Sequence, residues 1–347
     1  MAKPTTSPDP PRIEIPNAGS TEQYWIDSTH ADKMRFWAKR WYPTAASSSS
    51  GDDEAAGQDE VQPKSCTVFC HGFVEYSERY REIFKVWPSK GHEIVAFDQR
   101  GWGETAAATA NPAKAYGYAT WPLQFEDLEN VVRQTRQRLD ERWGKDAVPI
   151  FNMGQSMGGG IVLAFQTRSD AWKMANRTSS PSAEARDLVR GTIAVAPWLR
   201  LTEPPHPLLA WVGNNIMSKI PGMPWYVDLK GANICRDPVV AANFENDRFC
   251  QKKVYIKTIA GPLFGGPAII TRDYEHWPKD KPLLALHGTG DLVTDHLGTK
   301  QLVDNIASTD DKEFKQLDGF YHDILMEPGQ DKIDAAQYIV DWIEKRC

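Results

Sequence analysis

From residue 64 to residue 196 the chain alternates short, nearly continuous apolar runs with longer stretches of helical period. The apolar runs fall at 67–70, 94–97, 148–153 and 192–196. Their shortness and lack of polar alternation predict strands buried on both faces, as in a parallel sheet. Helices are expected at 79–87, at 125–143 and directly after 156, with 111–122 as a loop. In the 125–143 stretch Phe125, Leu128, Val131, Val132, Leu139 and Trp143 share one face. The rhythm stops at Pro197 and resumes at 282–287, followed by a helix near 297–306, a strand at 314–317 and a closing helix at 332–345. Upstream lie two strand-like runs, 23–26 and 34–42. The second alternates apolar with basic or small residues, as a half-exposed antiparallel strand does. The pattern predicts a mostly parallel sheet with helices on both faces. Residues 1–20 form an arm without regular structure, 21–197 and 281–347 the two parts of the core, and 198–280 a cap insertion. Within the first part, 44–64 is a flexible acidic loop.

One junction in this pattern carries chemistry. The strand at 148–153 runs into Gly154-Gln155-Ser156-Met157-Gly158 and at once into a helix. Gly-x-Ser-x-Gly in that setting is the nucleophile elbow of the α/β-hydrolase fold. The turn is so tight that the serine takes a strained backbone conformation, and a Cβ at either glycine would crowd it. A serine hydroxyl attacks an ester only with a base, and the base needs an orienting carboxylate. In this fold they follow the serine in the order acid, histidine, each after a later strand. His322 lies just past the last strand and Asp291 in the glycine-rich turn after 283–286. Asp295 competes with Asp291 but reads as the start of a helix. The oxyanion hole takes one backbone N–H from the residue after the nucleophile, Met157, and one from the loop after the first buried strand, where Phe73 is the candidate. His71 in that loop precedes the serine and is expected to pack the loop.

Composition narrows the setting. The chain has 347 residues, 41% hydrophobic and 25% charged, enough for a sizeable core. Its 13 tryptophans point to an apolar pocket or interface as much as to a core. A net charge of −6 argues against nucleic acid as the partner. No run approaches the ~20 apolar residues of a membrane span, and the first residues lack the apolar centre of a secretion signal. A cytoplasmic, non-secreted protein is expected. Its five cysteines are odd in number and scattered, which fits reduced thiols, with Cys66 and Cys70 on one strand face as small core residues. Asn176-Arg177-Thr178 fits the glycosylation pattern but carries no meaning in a cytosolic chain.

Taken together, these motifs resemble monoacylglycerol lipases, the fungal ones in particular. The matching stretches are His71-Gly72-x-x-Glu75-x-Ser77-x-Arg79-Tyr80, Phe97-Asp98-Gln99-Arg100-Gly101-x-Gly103, Gly154-x-Ser156-Met157-Gly158, His287-Gly288-x-x-Asp291 with Val293-Thr294-Asp295, and Tyr321-His322. The resemblance implies Ser156, Asp291 and His322 as the triad, Phe73 and Met157 as oxyanion donors, and Glu75 and Arg79 at the glycerol end of a substrate pocket. It implies no metal or cofactor, and a monoacylglycerol substrate. The family's usual histidine before the nucleophile is Gln155 here, and its usual histidine after the oxyanion-loop glutamate is Tyr76. In 198–280 the likeness reduces to Arg236-Asp237-Pro238 and general character.

The insertion has a signal of its own. Leu208, Trp211, Val212, Ile216 and Ile220 fall on one helical face, with Asn214, Asn215, Ser218 and Lys219 opposite. Either this face packs on the body, or it makes transient contact with a membrane or lipid droplet. The rival readings are another carboxylesterase, a lysophospholipase or a thioesterase with the same triad, and more remotely an inactive hydrolase fold used as a binding module.

Overall fold

The apolar runs become the interior strands of one sheet. A computed structural model describes residues 19–29, 32–45, 59–167, 181–216, 220 and 222–347. The strands are β1 (Ser20–Asp27), β2 (Arg35–Tyr42), β3 (Cys66–Cys70), β4 (Glu93–Phe97), β5 (Ile150–Gln155), β6 (Val189–Val195), β7 (Pro224–Tyr226), β8 (Lys253–Tyr255), β9 (Leu283–Gly288) and β10 (Lys312–Leu317). Eight of them form a sheet in the order β1-β2-β4-β3-β5-β6-β9-β10, and β7 pairs with β8 apart from it. From β4 to β10 all pairings are parallel, while β1 and β2 run antiparallel to their neighbours.

Alternation along the strands builds two cores. Cys66, Val68, Cys70, Ile150, Leu283 and Ala285 point to one face. There they meet α1 (Trp121–Trp143) through Phe125, Leu128, Val131, Val132 and Leu139, and α2 (Met157–Thr167) through Ile161 and Phe165. Phe69, Phe151, Met153, Leu284 and Leu286 point to the other, against the segment 77–89 and the closing helix 331–344. The expected mostly parallel sheet with helices on both faces is present.

Three local expectations need correction. β2 is not half-exposed: it lies between β1 and β4, and Phe36, Trp37, Ala38, Arg40 and Trp41 are all buried. Arg40 is tolerated there because Glu60 pairs with it at 2.6 Å and Glu22 at 2.7 Å. The stretch 79–87 is not one helix but two 3₁₀ turns, 77–80 and 83–85, running into a short helix at 86–89. Pro88 lacks the N–H that would extend an α-helical ladder back to residue 84. The 111–122 loop contains a helical turn, Pro112–Ala115, and α1 begins at Trp121.

At the end of the sheet where β2 finishes and β3 begins, Thr44 bridges to Glu60. Ala45 N–H donates to Asp59 O at 2.9 Å, closing the mouth of the expected acidic loop. Most of that loop, nearly all of the 1–20 arm, Asn176-Arg177-Thr178, Ser218 and Lys219 lie outside the described residues.

Between β6 and β9 the chain leaves the sheet. This excursion holds α3 (Pro207–Asn215), α4 (Pro238–Asn246), the β7–β8 pair and α5 (Ile256–Thr271). α5 is seated on the core by glycines: a Cβ at Gly265 would lie 2.0 Å from the Trp121 ring, and one at Gly266 2.6 Å from Leu199 O. After β9 comes α6 (His296–Asn305), and after β10 the closing helix α7 (Asp331–Glu344).

Candidate active site

β5 delivers Ser156 at the carboxyl end of the sheet. Ser156 has φ 54°, the left-handed region that non-glycine residues avoid. The strain is held by main-chain bonds: Ser156 N–H donates to Val195 O at 2.9 Å, and Ser156 O accepts from Trp198 N at 2.8 Å and Gly160 N at 3.0 Å. The glycines are required sterically. A Cβ on Gly154 would stand 2.2 Å from Gly158 O, and one on Gly158 2.0 Å from Cys70 O.

The turns after β9 and β10 bring the other two groups to it. His322 Nε2 lies 2.8 Å from Ser156 Oγ, and His322 Nδ1 lies 2.7 Å from Asp291 Oδ2. Asp291 is saturated with donors. Its Oδ1 accepts from the N–H groups of Val293 at 2.7 Å and Thr294 at 2.9 Å, and its Oδ2 also from Thr294 Oγ1 and His287 Nε2, both at 3.0 Å. Burial acts to raise the Asp291 carboxyl, but the charge and hydrogen bond of His322, with the bond from His287, hold it well below the usual carboxylate range. Burial acts to lower His322, and Asp291's charge and hydrogen bond outweigh it, leaving the imidazole above its ordinary value. Asp295 is engaged elsewhere: it accepts from Leu297 N at the start of α6 and pairs with Arg200 at 2.6 Å.

The loop after β3 lies directly against the nucleophile. A Cβ on Gly72 would stand 3.0 Å from Ser156 Cβ, and the chain then turns at Val74 with φ 61°. Phe73 packs edge-on between Trp102 and Trp198, at 5.4 and 5.5 Å between ring centres. Met157 opens α2, so its N–H is one of the first-turn donors without an intrahelical partner. His71 props the loop: its Nδ1 donates to Gly72 O at 2.8 Å and its Nε2 accepts from Gln99 N at 2.9 Å. Burial pushes it down to about 3, so it stays neutral. Behind it Asp98 accepts from Ser77 N at 2.9 Å, Ser77 Oγ at 2.6 Å and Glu104 N at 2.8 Å, which gives the Phe97–Gly103 motif its supporting part.

Glu75 and Arg79 are brought together as a buried pair, not a surface salt bridge. Arg79 Nη2 also reaches Asp323 Oδ2 at 2.9 Å, and Tyr80 Oη lies 2.8 Å from Glu75 Oε2 and 2.9 Å from Asp323 Oδ1. Glu75 Oε1 accepts the Gly72 N–H at 2.5 Å, tying the cluster to the loop beside Ser156. Burial and the neighbouring Asp323 push Glu75 up to about 6 against the pull of Arg79. Tyr80, His287, Thr294 and Asp323 are the supporting residues that sequence reasoning left without a role. Their signal is adjacency: three sit inside the quoted motifs, and Asp323 directly follows His322.

Ser156 and His322 open into a cavity of about 670 Å³. Glu75, Arg79 and Asp323 line it, as do Leu201, Val212, Trp225, Ile234, Phe244, Ile259, Leu263 and Phe264, most of them from the insertion. Four of the five apolar residues named for this face are not packed on the body as one of the two readings expected. Leu208 and Trp211 are 62% and 55% exposed, and Ile216 and Ile220 are exposed as well, while Val212 turns into the cavity.

A model of the family described as Serine aminopeptidase, S33 (Hydrolase_4) matches residues 61–329, more than half of the chain. The chain belongs to the Hydrolase_4 family. This Hydrolase_4 member is 29% identical over 286 residues to a Schizosaccharomyces pombe protein provisionally named a monoglyceride lipase, a match covering 81% of this chain and 68% of that one. It is 27% identical over 285 residues to a monoacylglycerol lipase of Mycolicibacterium smegmatis, covering 81% of this chain and 90% of that one. Among solved structures it resembles a soluble variant of monoglyceride lipase from Saccharomyces cerevisiae in complex with a substrate analog. The TM-score is 0.75 at 19% identity, covering 97% of this chain and 99% of that one. The fold is therefore that of the α/β-hydrolases, and the Hydrolase_4 chain is a serine hydrolase of the lipase and esterase family. Among the described residues no helix is long and apolar enough to cross a membrane.

Proposed function

We propose that the chain hydrolyses monoacylglycerol to a free fatty acid and glycerol through an acyl-enzyme on Ser156. The observation that carries this reading is the 2.8 Å Ser156–His322 and 2.7 Å His322–Asp291 relay at the base of a largely apolar cavity whose polar end is the Glu75–Arg79–Asp323 cluster. An acyl chain fits the apolar wall and a polyol the polar end. His322 Nε2 takes the Ser156 proton as Oγ attacks the ester carbon, and the oxygen that gains charge faces the N–H groups of Phe73 and Met157. As the intermediate collapses, His322 returns the proton to the glycerol oxygen. Water, deprotonated by the same imidazole, then releases the fatty acid and restores Ser156. Asp291 holds the imidazole tautomer throughout.

The family's descriptive name mentions an aminopeptidase; Glu75 and Asp323 are taken up by Arg79 and Tyr80, while Glu203 and Asp228 also line the cavity, so an aminoacyl substrate belongs in the test. The exposed apolar face of α3 beside the cavity supports transient contact with a membrane or lipid-droplet surface, where the substrate resides. The test is a panel of monoacyl-, diacyl- and triacylglycerols, lysophospholipids, acyl thioesters, short p-nitrophenyl esters and an aminoacyl p-nitroanilide. The highest kcat/KM is expected on monoacylglycerol. A higher value on a lysophospholipid or thioester moves the assignment to that class, and no turnover of any member leaves a non-catalytic binding module.

A further inference from the structure

We propose that Gln155 is a positioning residue for His322, acting through the peptide group that follows the histidine. The inference rests on Ser156, Asp291 and His322 being the catalytic relay. Gln155 Nε2 donates to the main-chain oxygen of His322 at 2.8 Å. The N–H of that same peptide group, belonging to Asp323, donates to Ile234 O at 2.7 Å. One rigid peptide plane is thus gripped at both of its polar ends, by the strand that carries the nucleophile and by the insertion. With the plane fixed, the Cα of His322 is held in place, and the bonds to Ser156 and Asp291 orient the ring. Among the described residues no other donor reaches His322 O.

The far end of the amide argues that this bond is the reason for a glutamine. Gln155 Oε1 is buried and has no hydrogen-bond partner among the described residues. Methionine would fill the same space without orphaning an acceptor, so packing alone does not account for the residue. A carbonyl oxygen only accepts, so the amide nitrogen must be the atom turned toward His322. The bond also passes directly between the side chain next to the nucleophile and the main chain of its base. A shift there changes the Ser156–His322 approach, and misplacing a reacting group by about 1 Å can lower rate by about 10²-fold.

The experiment compares the full chain with Gln155→Met and Gln155→His, each checked for folding by thermal melting. It measures kcat and KM on a soluble p-nitrophenyl ester and the rate of labelling by a fluorophosphonate probe. Gln155→Met is expected to lower kcat by about tenfold or more with KM within about twofold, and to slow labelling in proportion. Gln155→His retains an N–H donor and is expected to recover kcat to within about threefold of wild type. A folded Gln155→Met with wild-type kcat, or a Gln155→His as slow as Gln155→Met, overturns the inference. Should Gln155→Met not fold, Gln155→Asn carries the test, since its arm is one methylene too short, and wild-type kcat there has the same meaning. Absence of labelling in the wild type refutes the relay itself, whereas equal labelling of wild type and Gln155→Met removes only the role of Gln155.

Discussion

Around Ser156 the main chain leaves no spare volume, whereas the insertion beside it leaves apolar surface uncovered. Added Cβ atoms at Gly154 and Gly158 would meet backbone at 2.2 Å or less, so the nucleophile turn and β3 touch backbone to backbone, and one at Gly72 would stand 3.0 Å from Ser156 Cβ. In α3 and at its end, Leu208, Trp211 and Ile216 stand in solvent. The contrast follows from what each region must do. A relay that works over hydrogen-bond distances requires every member to be over-determined, and Asp291 with five donors is. On the proposed function, a wall that admits an acyl chain from a lipid surface requires apolar area that is not already satisfied by the protein. Breaking the first region should therefore abolish chemistry on every substrate, while breaking the second should alter only delivery.

The sharpest break is Ser156→Ala. It should eliminate fluorophosphonate labelling and lower ester hydrolysis by about 10⁴-fold or more; labelling that persists in the mutant would falsify Ser156 as nucleophile. Next is Asp291→Asn, expected to lower kcat by about 10³–10⁴-fold because the imidazole loses its tautomer. Asp291 also sets the pH response. His322 is raised above its ordinary 6.5, so on acidification it takes up a proton earlier than a free histidine. Since only the neutral imidazole accepts from Ser156, kcat/KM should fall as pH drops through a midpoint above that value, and Asp291→Asn should move the midpoint down. A wild-type midpoint at about 6 or below contradicts the assignment.

The insertion gives smaller, selective effects. Leu208→Ser with Trp211→Ser should reduce hydrolysis of monoacylglycerol carried in vesicles by roughly tenfold while leaving a soluble p-nitrophenyl ester within about twofold. Equal losses on both substrates would place these residues in the body's packing after all. Smallest is Tyr76→Phe. Tyr76 Oη bonds Asp247 at 2.8 Å, joining the oxyanion loop to the insertion. Its loss should cost about 1 kcal/mol by denaturant unfolding and change kcat by less than about threefold. A tenfold fall in kcat would show that the two regions are mechanically one.

The same contrast explains what could be read from the chain alone. The strand positions, the mostly parallel sheet with helices on both faces and the addresses of Ser156, Asp291 and His322 follow from short-range signals: apolar runs, glycine turns and fixed chain order. Asp291 could be preferred over Asp295 because a turn and a helix start look different locally. The cluster of Glu75, Arg79, Tyr80 and Asp323 joins residues more than 240 positions apart, as in the Tyr80–Asp323 bond, and no local pattern encodes that meeting. β2 departs from its pattern for a related reason. Its polar residues suggest exposure, but Lys39 and Arg40 have ionic partners supplied from elsewhere in the chain. The insertion is the least legible, since on the proposed function its exposed apolar residues answer to something outside the chain.

The Thr44–Glu60 bridge has a practical consequence. Residues 44 and 60 are paired there, and Arg40 holds Glu60 at 2.6 Å. Between two points so held, a flexible connection costs only about 0.6 kcal/mol more per doubling of its length. Because β2 runs against β4, this point sits at the opposite end of the sheet from Ser156. A peptide handle inserted between 45 and 59 would fix the molecule to a support with its cavity facing away, an orientation chosen by the sheet rather than by chance.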